Sequence, residues 1–269
     1  MISNAEIKHL AELKERSGRI GQKRFFIEGK RSIEEALAAN ADIKQIIVNL
    51  ATNSQKFAEI YSGAEERGIR IEEIPAEKFN KLSSTETSQG IIAVAEVHET
   101  TFEDLISDLR TKRKAIVLIF DRISDPGNLG TILRSAAWFG VDAVLIAKGS
   151  VDVYNPKVVR SAMAAITGLN FLQEVTLVDE MPTLKKLGFT MIASTQNGNV
   201  GYTEYEFPKK AALVFGSEAT GITQKVAAHC DESIFIPRVG KMESLNVAVA
   251  TSIVLAEVVR QRSASGQHS

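Results

Sequence analysis

Three stretches in the second half of the chain carry side chains that could hold a polar or charged ligand: DPGNLGTILRSAAWFG from Asp125, LVFGSEATGI from Leu213 and IPRVGKMESLNVAVA from Ile236. Each joins an apolar strand-like run, or its end, to a small-residue turn and then a helix-like pattern. Polar side chains and free backbone amides therefore gather at turns and helix starts, which is how an α/β protein builds a site. In the first stretch Pro126 and Gly127 make a turn, Asn128 is placed to cap the helix, and Arg134 lies nearly two turns along its body. Read by themselves, these residues also describe a capped helix with one exposed arginine. Glu218 is the only ionisable group between Lys210 and Lys225; it serves either as a carboxylate at a helix N-terminus or as a site group. Ser244 and Asn246 read as cap residues of a closing helix whose Ala and Val positions permit close packing.

The elements that must position these groups alternate along the chain. Hydrophobic periodicity predicts helices over 4–15, 30–39 and 54–66, and a short helix after Pro75. It predicts strands over 24–27, 43–48, 69–74 and 90–97. A short helix over 102–109 and the basic TKRK from Thr111 follow. The alternation then resumes with strands at 115–121, 143–146, near 171, and at 190–194, 211–215 and 233–236, among helices at 129–139, 156–165, 182–187 and 245–261. Continuous apolar strands interleaved with helices imply a mostly parallel sheet covered on both faces. The fold class is thus α/β with two parts: a small α/β domain over 1–98, a linker over 99–113 and a larger domain over 114–265. The polar tail after Arg262 reads as frayed.

Composition narrows the function classes. The 269 residues are 44% hydrophobic and 24% charged, with a net charge of −1 and a single cysteine. No apolar run approaches the ~18 residues of a membrane helix, and the first ten residues lack a secretory apolar core. Cys230 cannot form an internal disulfide, so a reducing, cytoplasmic setting is expected; beside His229 it reads as structural rather than reactive. Neither a phosphate-binding loop of the G-x-x-x-x-G-K-[ST] type nor G-x-G-x-x-G follows a strand, and no Cys/His spacing suits zinc, so no metal is expected. Between Met1 and Arg31, Lys8, Lys14, Arg16, Arg19, Lys23, Arg24, Lys30 and Arg31 outnumber Glu6, Glu12, Glu15 and Glu28. That basic stretch is either a nucleic-acid footprint or a solvated helix face with i,i+4 partners. Phe25 and Phe26 within it fit a buried strand start.

Taken together, the three motifs resemble the SpoU (TrmH-type) family of RNA ribose 2'-O-methyltransferases, within the SPOUT superfamily. FFIEGKRSIEEAL and QGIIAVAE in the first domain are similar to that family's substrate-binding domain. The resemblance implies a parallel sheet whose C-terminal part forms a trefoil knot, S-adenosylmethionine held by the knotted loops, an RNA substrate, and a homodimer formed through the knotted domain. It assigns catalysis to Asn128, Arg134, Glu218, Ser244 and Asn246. It places the cofactor against Gly216, Ile236 and Leu245 through their backbone, with Thr195 and Asn197 as a further wall. Lys23, Arg24, Lys30 and Arg31 become RNA contacts. Arg238 stands where family members commonly have Met after I-P, which adds a phosphate contact or only a surface charge.

In that family the arginine activates the ribose 2'-hydroxyl. A guanidinium, with a pKa above ~12, is a poor base near neutrality, so Arg134 is expected to bind phosphate bidentately and stabilise the forming alkoxide. The appended N-terminal domain favours ribosomal over transfer RNA. A transfer-RNA ribose methyltransferase, a non-catalytic RNA-binding protein on the same scaffold and a nucleotide-binding metabolic enzyme are the alternatives.

Overall fold

The computed structural model describes residues 2–264, and the polar tail beyond Ala264 lies outside them. Two compact units divide the chain: Met1–Glu99 with Asp152–Gly168, and Thr100–Val151 with Leu169–Ser269. Among the described residues no helix is long and apolar enough to cross a membrane.

The first unit runs α1 (Asn4–Ala11), α2 (Arg16–Gln22), β1 (Arg24–Glu28), α3 (Lys30–Ala38), β2 (Ile43–Asn49), α4 (Ala58–Glu66), β3 (Arg70–Ile74), α5 (Ala76–Leu82) and β4 (Ile91–Glu96). Its four strands lie in the order β1-β4-β2-β3, with β4 antiparallel to both neighbours and β2 parallel to β3. Phe26, Ile47, Ile92 and Val94 share one buried face with Leu10, Leu13, Phe79 and Leu82. The second unit opens on α6 (Phe102–Thr111), β5 (Ala115–Asp121), α7 (Pro126–Trp138) and β6 (Ala143–Ala147).

After β6 the chain contributes α8 (Pro156–Ala162) and α9 (Ala165–Gly168) to the first unit, although sequence placed this helix in the second domain. Its attachment is polar and aromatic. Arg19, only 5% exposed, pairs with Asp152 through Nε at 3.0 Å, while its Nη1 donates to the carbonyls of Leu13 and Lys14. The rings of Phe25 and Tyr154 meet at 4.7 Å, and the Tyr154 hydroxyl donates to the carbonyl of His98. The single helix expected over 156–165 is broken at Met163, whose φ of +53° is incompatible with helix.

The second unit resumes with β7 (Phe171–Val175), α10 (Leu177–Lys186), β8 (Thr190–Ser194), β9 (Val200–Gly201), β10 (Lys210–Gly216), α11 (Gln224–Ala227), β11 (Glu232–Phe235) and α12 (Val247–Ala264). Its seven strands lie in the order β7-β6-β5-β10-β8-β11-β9, and every pairing is parallel. The uninterrupted apolar runs of β5 and β6 are buried at every position, as a sheet covered on both faces requires. Val117 and Ile119 pack with Leu105, Leu109, Met181 and Leu184 of α6 and α10. On the opposite face Phe120 and Phe215 stack at 5.6 Å, and α12 packs on α7 with Ser252 Oγ 2.8 Å from Ser135 Oγ.

Three local departures from expectation stand out, and the last two have clear physical causes. The segment 16–22 is helical although no helix was predicted there. Helix α10 begins five residues before the expected start at Pro182, because Leu177, Met181 and Leu184 form its buried stripe and that packing outweighs the proline. Helix α7 starts at Pro126 rather than after Asn128. Asp125 is its cap, with Oδ1 accepting from the Asn128 N–H at 2.7 Å and proline at the first helical position, where no N–H is needed.

Candidate active site

Because Asp125 caps α7, the side chain of Asn128 is free, and it points away from its own helix. Its Nδ2 donates to Glu218 Oε1 at 2.6 Å, and its Oδ1 accepts from Asn246 Nδ2 at 2.8 Å. Asn246 in turn caps α12, with Oδ1 accepting from the N–H groups of Ala248 at 2.9 Å and Val249 at 3.3 Å. One side-chain amide thus joins all three sequence motifs. Both of its polar atoms are engaged, which fixes its orientation as donor to the carboxylate and acceptor from the second amide.

Glu218 sits in a tight turn rather than at a helix N-terminus. Ser217 and Gly221 exchange backbone hydrogen bonds across it at 2.9 and 3.2 Å, and Ser217 Oγ lies 2.8 Å from Thr220 Oγ1. Gly221 takes a φ of +65° to close the turn. Gly216 enters it, but its missing side chain makes room for the protein itself. A Cβ there would collide with the backbone of Gly221 and Ile222. Any larger residue at 216 would therefore disturb the turn itself before it could obstruct a ligand.

The carboxyl ends of β5, β10, β8 and β11 lie side by side, the edge at which parallel α/β sheets bind ligands. Thr195 and Asn197 lie in the loop after β8, which runs along β11: the Thr195 N–H donates to Ile234 O and that of Asn199 to Ser233 O, each at 3.0 Å. Ile236 directly follows β11. From Val239 to Leu245 the backbone N–H groups have no hydrogen-bond partner among the described residues, while Val239 is 100%, Met242 78% and Leu245 49% exposed. Unpaired amides beside exposed apolar side chains suit a ligand with a flat apolar face and polar edges.

The other expected residues are placed less tightly. Arg134 is exposed on α7, and Ser244 is exposed just before the α12 cap; neither side chain has a hydrogen bond among the described residues. Arg238 is exposed, its Nη1 3.4 Å from the Met242 carbonyl. In the first unit each expected RNA-binding base has an acidic partner: Lys23 with Glu99 at 2.8 Å, Arg24 with Glu96 at 3.7 Å, Lys30 with Glu34 at 3.4 Å and Arg31 with Glu35 at 2.9 Å. Cys230 has its thiol pushed up to about 11 by burial and by Asp231, while His229 Nδ1 faces the Lys225 carbonyl.

Sequence reasoning missed Asp121 and Thr223. Asp121 is only 4% exposed, and its Oδ2 accepts from both the N–H and the hydroxyl of Thr223 at 2.7 Å. The signal was present in AIVLIFD, since a carboxylate ending an apolar strand must find partners or stay out of the interior.

Residues 115–256 match the SpoU rRNA Methylase family, and residues 26–101 match the family described as RNA 2'-O ribose methyltransferase substrate binding. The chain belongs to the SpoU rRNA methylase family. It is therefore an RNA methyltransferase built from a SpoU catalytic part and a substrate-binding part. A protein of Staphylococcus aureus (strain COL) assigned to the TrmH family of tRNA/rRNA methyltransferases is 31% identical over 90% of this chain and 98% of its own length. A solved RNA 2'-O ribose methyltransferase is 32% identical and superposes with a TM-score of 0.82 over 97% of each chain. The SpoU methyltransferase AviRb from Streptomyces viridochromogenes, solved with AdoMet, is 25% identical with a TM-score of 0.83, covering 97% of this chain and 98% of its own.

Proposed function

We propose that this SpoU-family protein transfers a methyl group from S-adenosylmethionine to a ribose 2'-hydroxyl in ribosomal RNA. The observation that carries the proposal is the Glu218–Asn128–Asn246 bridge, which joins the motif loops beside the carboxyl ends of the parallel strands. The 2'-O specificity is supported by the matching substrate-binding family and by the solved relative of that name. Ribosomal RNA is supported by the dedicated N-terminal unit, and a cytoplasmic location by the single cysteine, which leaves the chain without an internal disulfide.

The cofactor fits the residues present. Unpaired amides from Val239 to Leu245 and the exposed side chains of Val239, Met242 and Leu245 would hold the adenosyl part, with Ile236, Thr195 and Asn197 nearby in the adjoining loops. When bound, S-adenosylmethionine supplies a methyl group already activated on a sulfonium, so alignment and help with the hydroxyl proton are what the chain must add. Arg134 presents an exposed guanidinium that can grip a phosphate through two parallel bonds and stabilise negative charge on the 2'-oxygen, without serving as the proton's resting place. Glu218, held by Asn128, is the ionisable acceptor of the cluster. Ser244 lies in the same exposed loop as a hydroxyl available to substrate.

A homodimer through the second unit is part of this reading. Trp138, 85% exposed on α7, and Val249, 46% exposed on α12, lie on two helices packed on each other, an apolar surface that a second copy would cover. A trefoil knot is likewise supported by the path of α12, which follows β11 yet packs on α7 and β10.

The deciding experiment is mass-spectrometric mapping of ribose methylation in RNA from cells with and without the gene, joined to single-turnover assays of Arg134 variants. A ribosomal 2'-O-methyl group lost with the gene supports the reading, and a loss confined to transfer RNA overturns its ribosomal half. Arg134→Lys keeps charge but loses the bidentate fork, and should slow transfer by about 100-fold with unchanged cofactor affinity. Near-normal transfer by Arg134→Ala would remove this residue from the mechanism.

A further inference from the structure

The Glu218 turn is fastened at both ends by one residue outside it. Asp121 ends β5 and lies directly opposite Gly216 in the parallel register of β5 and β10, beside the point where the chain enters the turn. Its side chain reaches the exit: Oδ2 accepts from the Thr223 N–H and Oγ1, both at 2.7 Å, and Oδ1 faces Arg122 Nε at 3.4 Å. Thr223 is the cap residue of α11, yet its hydroxyl makes no capping bond and is given to Asp121 instead. A carboxylate 4% exposed is costly to bury unless its partners are fixed, so this pair holds the turn in one arrangement.

We propose that Asp121 is a positioning residue for methyl transfer, acting through Thr223 to hold the Gly216–Ile222 turn so that Glu218 meets Asn128. The inference rests on the reading of Glu218 and Asn128 as the reaction centre. Neither Asp121 nor Thr223 needs to touch substrate. With the exit released, the turn retains its internal bonds but loses its fixed position against β5, and Glu218 drifts from the Asn128 amide.

The test is a double-mutant cycle in the full-length protein, with tritiated S-adenosylmethionine and total RNA from cells lacking the gene. Thr223→Val should slow single-turnover transfer about tenfold, the low end for losing a hydrogen bond to a charged group, with KM for RNA changed less than about twofold. Thr223→Ser, which keeps the hydroxyl, should restore the rate to within about twofold. If the effect runs through Glu218, adding Thr223→Val to Glu218→Gln should cost nothing further, whereas a general loss of structure would multiply the two effects. Asp121→Asn gives a second route should the valine variant not fold: it keeps one acceptor oxygen, surrenders the charge, and should be equally silent in the Glu218→Gln background. Multiplicative effects, a full-rate Thr223→Val, or failure of Thr223→Ser to rescue would overturn the positioning role alone. A full-rate Glu218→Gln would overturn the reaction-centre reading and this inference with it.

Discussion

Asn128 and Glu218, ninety positions apart in the chain, meet at 2.6 Å through a hydrogen bond in which the asparagine can only be the donor. The orientation follows because Asn246 donates to the other end of the same amide. An aspartate at 128 would oppose two carboxylates and leave the Asn246 amide facing a changed partner.

Asn128→Asp should therefore lower methyl transfer by about 100-fold at neutral pH, the scale for removing one positioned donor. Two facing carboxylates raise the pKa of one of them, so the variant should recover as pH falls and one carboxyl regains a proton to donate. A pH series of single-turnover rates checks this. A variant whose rate relative to the wild type stays flat with pH would deny the donor role.

Gly216→Ala should unfold the Ser217–Gly221 turn rather than merely obstruct a ligand, since its Cβ would strike the backbone of Gly221 and Ile222. Backbone cannot yield as a flexible side chain does. A loss of about 1–3 kcal/mol, the usual range for overpacking, should appear as a lower thermal midpoint in the absence of any ligand. An unchanged midpoint would mean that the turn has room to spare.

Neutralising Lys23, Arg24, Lys30 and Arg31 should leave stability nearly untouched, because exposed ion pairs such as theirs with Glu99, Glu96, Glu34 and Glu35 contribute about 0–1 kcal/mol each. Weak pairs are readily exchanged for phosphates. If RNA makes that exchange, the slope of log affinity against log salt should fall by roughly 0.7–0.9 for each phosphate no longer neutralised. An unaltered slope would leave these bases as partners of their own glutamates.

Glu28 gathers the hydroxyls of Ser83, Ser84, Thr85 and Ser88 and the N–H of Ser84 around one carboxylate. Burial works to raise its pKa, but the bonds from Ser83, Ser84 and Thr85 outweigh it and hold the carboxyl below its ordinary value of 4.5. A depressed folded-state pKa contributes stability that is complete above the unfolded value and is lost as pH falls through the folded one. Glu28→Gln should cost about 1–2 kcal/mol at pH 7, discounted for partial solvation, and the difference from the wild type should shrink below pH 4.5. Denaturant titrations at neutral and acid pH measure it, and a pH-independent difference would contradict the assignment.

Strand and helix order was legible because β5, β6 and β10 are continuous apolar runs and because glycine and proline punctuate the turns. The three motifs also came from local sequence. Legibility ended where a tertiary partner decides. Asn128 reads as a cap, and only the competing Asp125 frees it to reach Glu218. The cap at Asn246 was readable, while its second bond, made at a distance of 118 residues, was not. Asp121 looked like the polar end of a strand until Thr223 was seen to fold back upon it. The basic residues near the N-terminus were visible, but the carboxylates paired with Lys23 and Arg24 come from the far side of that unit's sequence.

The placement of α8 and α9 has a consequence for how the protein is made. Arg19 and Phe25 find Asp152 and Tyr154 only after the chain has grown more than 50 residues past position 99, and the inserted segment that carries them ends at 168, 69 residues past it. At roughly 5–20 residues per second, synthesis leaves the N-terminal sheet waiting about 3–14 seconds for its last helices. Through that interval a guanidinium that will be buried is without its carboxylate and an aromatic ring is without its neighbour. The nascent N-terminal part is thus committed to remain open, and a ribosome that stalls before residue 152 would carry an incomplete domain rather than a finished one.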